Sequence, residues 1–241
     1  GCLIAAYAVS ANTCYVYIRG EYVNEGKVLQ EAINEAYEKG YLGKNAAGTG
    51  WDLDIFIHYG AGAYICGEES SMLESLEGKR GQVKVKPPIP AISGMFGKPT
   101  IVNNVLTLGS VPFILAHGAN SYANFGEGRS KGTQPFQLAG DINRGGLVEK
   151  AFGVSMEDLI NGFGGGTKSG RPIKAVQAGG PLGGYITPEN FDVAMGYETL
   201  AEAKTMLGHG GLVVFNDTAN MLNLARYAME FCEIESCGKC T

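Results

Sequence analysis

WDLDIFIHYGAGAYICGEESSMLESLEGKRG, residues 51–81, decides the fold. Its first nine residues set Leu53, Ile55 and Ile57 against Asp52, Asp54 and Phe56, the two-residue period of a strand. Gly60-Ala-Gly62 follows, and Ser71-Met-Leu-Glu74 is a capping-box pattern that opens a helix reaching about Glu77. A glycine-rich turn thus joins a strand to a helix. Upstream, residues 3–11 suit a helix, residues 13–18 a buried strand, and residues 28–39 an amphipathic helix with Leu29, Ala32, Ile33, Ala36 and Tyr37 on one face, ended by Gly40. Residues 1–59 therefore read α-β-α-β, the order of an α/β layered domain.

Downstream, residues 80–100 are loop-like and carry Lys84, Lys86, Pro87, Pro88, Pro90 and Pro99. Asn103-Asn104 precede an apolar helical stretch interrupted at Pro112. The polar, glycine-rich run after Phe125 marks a domain boundary. Beyond it come a strand at 135–142, a turn at 143–146, a strand near 147–152, a short helix capped at Ser155 and a strand at 173–177, which together form a small α+β module. A short strand at 212–215 and a helix capped by Asp217, with Met221, Leu224, Ala228 and Phe231 on one face, lead to the terminal cysteines.

Composition narrows the function. Glycine accounts for 37 of 241 residues, about twice the usual ~7%, with 9 prolines and no G-X-Y period, so neither collagen nor low-complexity disorder fits. Net charge is −5 without a basic run, which argues against a nucleic-acid footprint. No apolar stretch approaches the ~18 residues of a membrane span, so direct membrane insertion is not expected. Six cysteines without a secretory signal point to a reducing cytoplasm. Both ends read as cut, which makes the sequence a fragment in this reading.

Each chemistry-bearing motif carries a plain and a sharp reading. Gly60-x-Gly62 fails the G-x-G-x-x-G fingerprint, because the third glycine would fall at Ile65; a bare turn, or backbone N–H groups that approach a phosphate or flavin, both stand. Glu68-Glu69 cap a helix, or accept from ribose hydroxyls or a nicotinamide amide. Arg80, Lys84 and Lys86 are solvated, or serve a diphosphate. Cys237-x-x-Cys240 is part of an iron–sulfur or zinc site, a redox dithiol, or two ordinary thiols. Cys66 and Cys232 read as small apolar residues, and His58, His117 and His209 are too scattered for a metal site.

Taken together, GAGAYICGEESSMLESLEGKRG (60–81), KPPIPAISGMFGKPTIVNNVLTL (86–108) and ESCGKCT (235–241) resemble the family of flavin-bearing, NADH-binding subunits of respiratory complex I, which includes diaphorase subunits of NAD-dependent formate dehydrogenases and hydrogenases. The resemblance implies an α/β fold in three parts: an FMN- and NADH-binding α/β domain over 1–128, a β-grasp-like SLBB α+β domain over 129–190, and over 191–241 a connecting segment with the start of a helical [4Fe–4S] domain. It implies flavin contacts at Tyr64, Gly67, Glu68, Asn103, Asn104 and Thr107, and NAD contacts at Glu69 and Lys86. It also implies cluster ligands at Cys237 and Cys240, with two more expected beyond Thr241.

No side chain is implied as an acid or base, because the cofactors carry the chemistry. Partners implied are NAD(H) and further subunits of a redox complex, including a thioredoxin-like [2Fe–2S] subunit, in the cytoplasm or peripheral to the inner membrane. Two departures stand out: Ile89 replaces the aromatic that often follows Pro-Pro, and Leu106 replaces Glu in Asn-Asn-Val-Glu-Thr. Motif variants at 178–185, 208–211 and 228–240 lean toward a formate dehydrogenase β subunit, with the corresponding NADH-quinone oxidoreductase (complex I) subunit and a hydrogenase diaphorase subunit as alternatives. The contrasting reading is a non-catalytic ligand-binding or scaffold protein whose SLBB-like module (132–188) recognises a small ligand or partner.

Overall fold

A computed structural model describes residues 1–239, and the chain divides into two compact units. The first comprises Gly1–Pro112 with the stretch from Glu233 onward, and the second Phe113–Cys232.

In the first unit α1 (Cys2–Ala8), β1 (Thr13–Ile18), α2 (Val23–Glu38) and β2 (Asp54–Tyr59) realise the expected α-β-α-β order. β1 and β2 pair in parallel, from Thr13↔Asp54 to Ile18↔Tyr59. Strand alternation sends Cys14, Val16, Ile55 and Ile57 toward α1 and α2, where Ala6, Ile33, Leu42, Ala46 and Leu53 complete a small core. Leu53 is fully buried, which contributes about 2 kcal/mol. Alternation also makes Tyr15 a register partner of Phe56, and Tyr17 of His58. These pairs face away from that core, with rings 5.6 and 5.4 Å apart, and Tyr15 and Phe56 are exposed. Trp51 meets Tyr7 edge-on at 5.3 Å.

After β2 a 3-10 turn (Tyr64–Gly67) leads into α3 (Glu69–Leu76). This helix begins two residues before the expected capping box. Glu68 is its N-cap, accepting from Ser71 N–H, while the Ser71 hydroxyl is buried without a hydrogen-bond partner among the described residues. Further on, α4 (Val105–His117) runs through Pro112 rather than breaking there. Asn104 begins it, its side-chain oxygen accepting from Leu106 N–H at 2.8 Å and its carbonyl from Leu108 N–H at 3.2 Å.

The second unit contains α5 (Ala119–Ala123), a minimal ribbon of β3 (Gly126–Glu127) and β4 (Ser130–Lys131), then β5 (Thr133–Gly140), β6 (Gly146–Ala151), β7 (Ile173–Ala178), β8 (Gly184–Ile186), α6 (Tyr197–Glu202), β9 (Gly211–Asn216) and α7 (Met221–Glu235), whose last turn enters the first unit. Five strands form one sheet in the order β6-β5-β9-β7-β8, in which only β5 and β9 run parallel. β9 lies in the stretch that the sequence reading sets apart at 191–241, yet it is the middle strand. Phe191, Met195, Leu200, Leu207, Leu212 and Val214 join Phe136, Leu138 and Val176 in a single core.

Ser155 caps its helical turn as expected, accepting from Asp158 N–H at 3.0 Å. Asp217 does not cap α7: it pairs with Arg171 at 2.6 and 3.0 Å, and Asn220 accepts instead from Leu222 and Asn223 N–H. Pro135 sits inside β5 without breaking a ladder, because β9 begins to pair only at Gln137.

Candidate functional site

The turn between β2 and α3 is built from residues that leave its backbone bare. Gly62 has φ +91°, a conformation glycine adopts freely. Gly67 differs: its φ is not positive, and a Cβ there would meet nothing within 4 Å. Neither backbone conformation nor a neighbour among the described residues requires glycine at this position. It stands at the N-terminus of α3, where unpaired N–H groups and the helix dipole favour an anionic or electron-rich ligand.

Around this turn the charged groups are already organised. Burial alone would raise the Glu68 carboxyl, but the Ser70 hydroxyl at 2.6 Å, the N–H groups of Ser71 (2.9 Å) and Ser70, and the Lys86 ammonium at 3.4 Å hold it down at about 2. Lys86 also pairs with Glu69 and is itself raised by that contact. Glu68, Glu69 and Lys86 thus form one cluster at the head of α3. The capping reading of Glu68 holds, with Oε2 on Ser70 and Ser71, while Oε1 faces Lys86.

Residues 79–86 run back along α3. Lys84 N–H donates to Ser70 Oγ at 2.8 Å, the Lys84 ammonium pairs with Glu74, and Lys79 pairs with Glu77 at 2.6 Å. The charge of Lys84 is therefore matched within the chain. Glu77 also accepts the Phe96 N–H at 2.7 Å, which secures Phe96 at φ +51°. A cleft of about 400 Å³ lies beyond, lined by Glu77, Lys84, Pro88 and Phe96 among others, and it does not include the 60–69 turn. Ile89 is exposed.

The stretch from Glu233 onward belongs to this same unit. Tyr64 N–H donates to Glu235 Oε2 at 2.9 Å, Gln82 Nε2 donates to the Cys237 carbonyl at 3.4 Å, and Lys239 Nζ to the Val83 carbonyl at 2.7 Å. The Cys237 side chain is buried, and N–H groups of Val83 and Lys239 directed at its sulfur hold the thiol below its ordinary range. Cys240 lies outside the described residues. Among the described residues no group of three metal-ligating side chains converges.

Of the expected site residues, Glu68, Glu69 and Lys86 are brought together directly, and Tyr64 and Gly67 lie on the adjoining turn. Cys237 is joined to that turn through Glu235. Asn103, Asn104 and Thr107 lie exposed at the head of α4, with no hydrogen bond to the Glu68–Lys86 cluster among the described residues. Sequence reasoning missed Glu235, Val83 and Ser70, whose contacts join residues 171, 154 and 14 positions apart; no local pattern announces the first two. Cys66 is buried as expected, its thiol 4.0 Å from the Ser71 carbonyl.

Residues 1–113 match the family of the Nuo51 FMN-binding domain. Over 238 residues the chain is 47% identical to NADP-reducing hydrogenase subunit HndC of Solidesulfovibrio fructosivorans, covering 99% of this chain and 49% of the relative. It is 46% identical over 241 residues to a subunit of the NADH-quinone oxidoreductase of Rhizobium meliloti, covering 100% and 57%. The chain thus spans about half the length of these relatives. Among solved structures, NAD+-reducing [NiFe]-hydrogenase in the H2-reduced state superposes with a TM-score of 0.85 at 32% identity, over 100% of this chain and 39% of that one.

Proposed function

From the premise that residues 1–113 belong to the Nuo51 FMN-binding domain family, we propose that the chain is part of a flavin-bearing electron-transfer subunit of NADH dehydrogenase or diaphorase type. The observation that carries this reading is Gly67, a glycine with open space above it and no conformational need for it, at the N-terminus of α3 beside an ionised Glu68. FMN fits that turn: a missing Cβ admits a flat ring against the backbone, and the helix terminus accepts an electron-rich edge.

In the proposal Tyr64, Gly67, Glu68, Asn103, Asn104 and Thr107 hold the flavin, and Glu69 with Lys86 receives NAD(H). FMN, when bound, takes up or gives a hydride at the nicotinamide and exchanges electrons singly with an iron–sulfur partner. The chain positions and polarises. Glu68 stays ionised and fixes Lys86, so that Lys86 presents a positive charge whose orientation is set before any ligand arrives. The half-buried Glu69 carboxylate retains acceptor capacity for ribose or amide N–H and O–H groups. Neither carboxylate needs to move a proton.

Cys237 would serve as a [4Fe–4S] ligand together with Cys240 and two further cysteines. Its donor chemistry fits, since backbone N–H groups directed at a sulfur stabilise the thiolate that ligates iron and are the usual surroundings of such ligands. The five-stranded sheet with its parallel β5–β9 pair supports a β-grasp-like SLBB module that begins near 129 and takes in β9 at Gly211–Asn216, beyond the expected limit at 190, and α7 supports the start of a helical domain. The finer assignment to the β subunit of an NAD-dependent formate dehydrogenase rests on the variants at 178–185, 208–211 and 228–240. A complex I or hydrogenase subunit is its rival, with a thioredoxin-like [2Fe–2S] subunit as neighbour in each.

The test is expression of the full-length parent protein, with flavin content and NADH:ferricyanide reduction measured. Stoichiometric FMN and turnover are expected; a protein without flavin and without turnover overturns the reading. NAD+ reduction by the native complex, driven by formate in one assay and by hydrogen in another, decides the parent.

A further inference from the structure

Glu235 occupies an unfavourable place on its own helix. It is the last residue of α7, where unpaired carbonyls concentrate partial negative charge and disfavour a carboxylate. Yet its Oε2 accepts the Tyr64 N–H at 2.9 Å, the first amide of the 3-10 turn that carries Gly67. A hydrogen bond to an ionised acceptor is among the stronger ones, and this one joins the candidate flavin turn to the residue two before Cys237.

A second tie runs in parallel. Val83 directs its N–H at the Cys237 sulfur and accepts from Lys239 Nζ, Lys84 N–H donates to Ser70 Oγ, and Ser70 Oγ–H donates to Glu68 Oε2. Cys237 is thus connected to the head of α3 through this backbone strap, and to the turn before it through Glu235. The strap fixes the sulfur against α3. Glu235 reaches the turn itself.

We infer that Glu235 is a positioning residue that holds the 64–67 turn in register with Cys237. Its carboxylate touches no reacting atom; it acts by fixing where the Tyr64 amide, and with it the bare backbone at Gly67, stands relative to the sulfur. For the roles of the turn and of Cys237 this inference rests on the functional reading above, whereas the tether itself rests on geometry alone.

The test separates the two. In the full-length chain without added cofactor, hydrogen exchange is followed at the Tyr64 amide. Glu235→Leu, which keeps bulk and removes the acceptor, is expected to speed exchange about tenfold, in line with loss of a hydrogen bond to a charged group. Glu235→Gln retains a carbonyl acceptor and is expected to restore protection to within about threefold. In the cofactor-loaded complex, Glu235→Leu should lower turnover to the downstream acceptor about tenfold relative to turnover taken off at the flavin by ferricyanide, with flavin and iron per chain unchanged. Unaltered exchange at Tyr64 in Glu235→Leu overturns the tether. A parallel fall of both turnovers with loss of flavin or iron overturns the positioning role. A wild-type protein that binds no flavin overturns the functional reading and leaves the exchange result standing.

Discussion

The two units solve the burial problem differently. The second closes a five-stranded sheet over sixteen buried apolar residues, from Phe136 to Val214, whereas the first rests a two-stranded parallel sheet on a core of six, among the described residues. Parallel strands are normally covered on both faces, but here one face shows Tyr15 and Phe56 to solvent. Two glycines stand at opposite extremes. Gly140 in the second unit has φ +87° and lies so close to the Val214 carbonyl that a Cβ would collide with it, while Gly67 in the first has open space. The second unit uses its residues to hold itself together; the first leaves the backbone at Gly67 open beside the paired charges of Glu68, Glu69 and Lys86.

Substitutions break or sharpen this contrast. Phe136→Ala, at a fully buried side chain in the larger core, is expected to cost about 3–5 kcal/mol in denaturant unfolding. Phe56→Ala on the exposed sheet face should cost well under half of that, and equal losses would erase the distinction. Gly140→Ala follows, at about 2 kcal/mol from the positive φ and the crowded carbonyl.

Glu68 gives a pH signature confined to the first unit. Its folded value, about 2, lies below the ~4.3 of an unfolded glutamate, so its stabilisation is fully present above about pH 4.5 and is lost as pH falls toward 2. After discounting for partial exposure, about 1 kcal/mol is expected. Unfolding free energies from denaturant titration at pH 6 and pH 3 should differ by that much more in the wild type than in Glu68→Gln. Smallest in stability, and largest in function, is Gly67→Ala. Unfolding should move by less than about 0.5 kcal/mol, while flavin retention in the full-length protein falls at least about tenfold, if a ring packs on that backbone. A variant that keeps its flavin would reduce Gly67 to an ordinary turn residue.

The strand–turn–helix at 51–81 was legible because its signals are local: alternation, then glycines, then a helical period. The exact start of α3 was not, since Ser71-x-x-Glu74 satisfies the capping pattern while Glu68, three residues earlier, outcompetes it with a longer reach and a full charge. Asp217 looked like a cap for α7 but is held by Arg171, 46 residues away, and Asn220 takes the role. α4 continues through Pro112, where the sequence reading places an interruption. β9 was visible as a short apolar strand, but its place between β5 and β7 depends on pairings that no window spans. Glu68 and Glu69 were legible at a helix head, whereas Lys86 was legible only as a loop residue, because the contacts that bring it to them span 18 and 17 residues. The Glu235 tether was invisible, being a contact that spans 171 residues of sequence.

Trp51 is the chain's single tryptophan, and it lies in the first unit with its ring against Tyr7. The molecule therefore carries a built-in optical reporter for one unit only. Indole emission follows the opening of the smaller core and is blind to the larger, whereas far-ultraviolet dichroism sums both. Recording the two signals side by side converts the structural division into separate melting curves without a label, a truncation or a mutation.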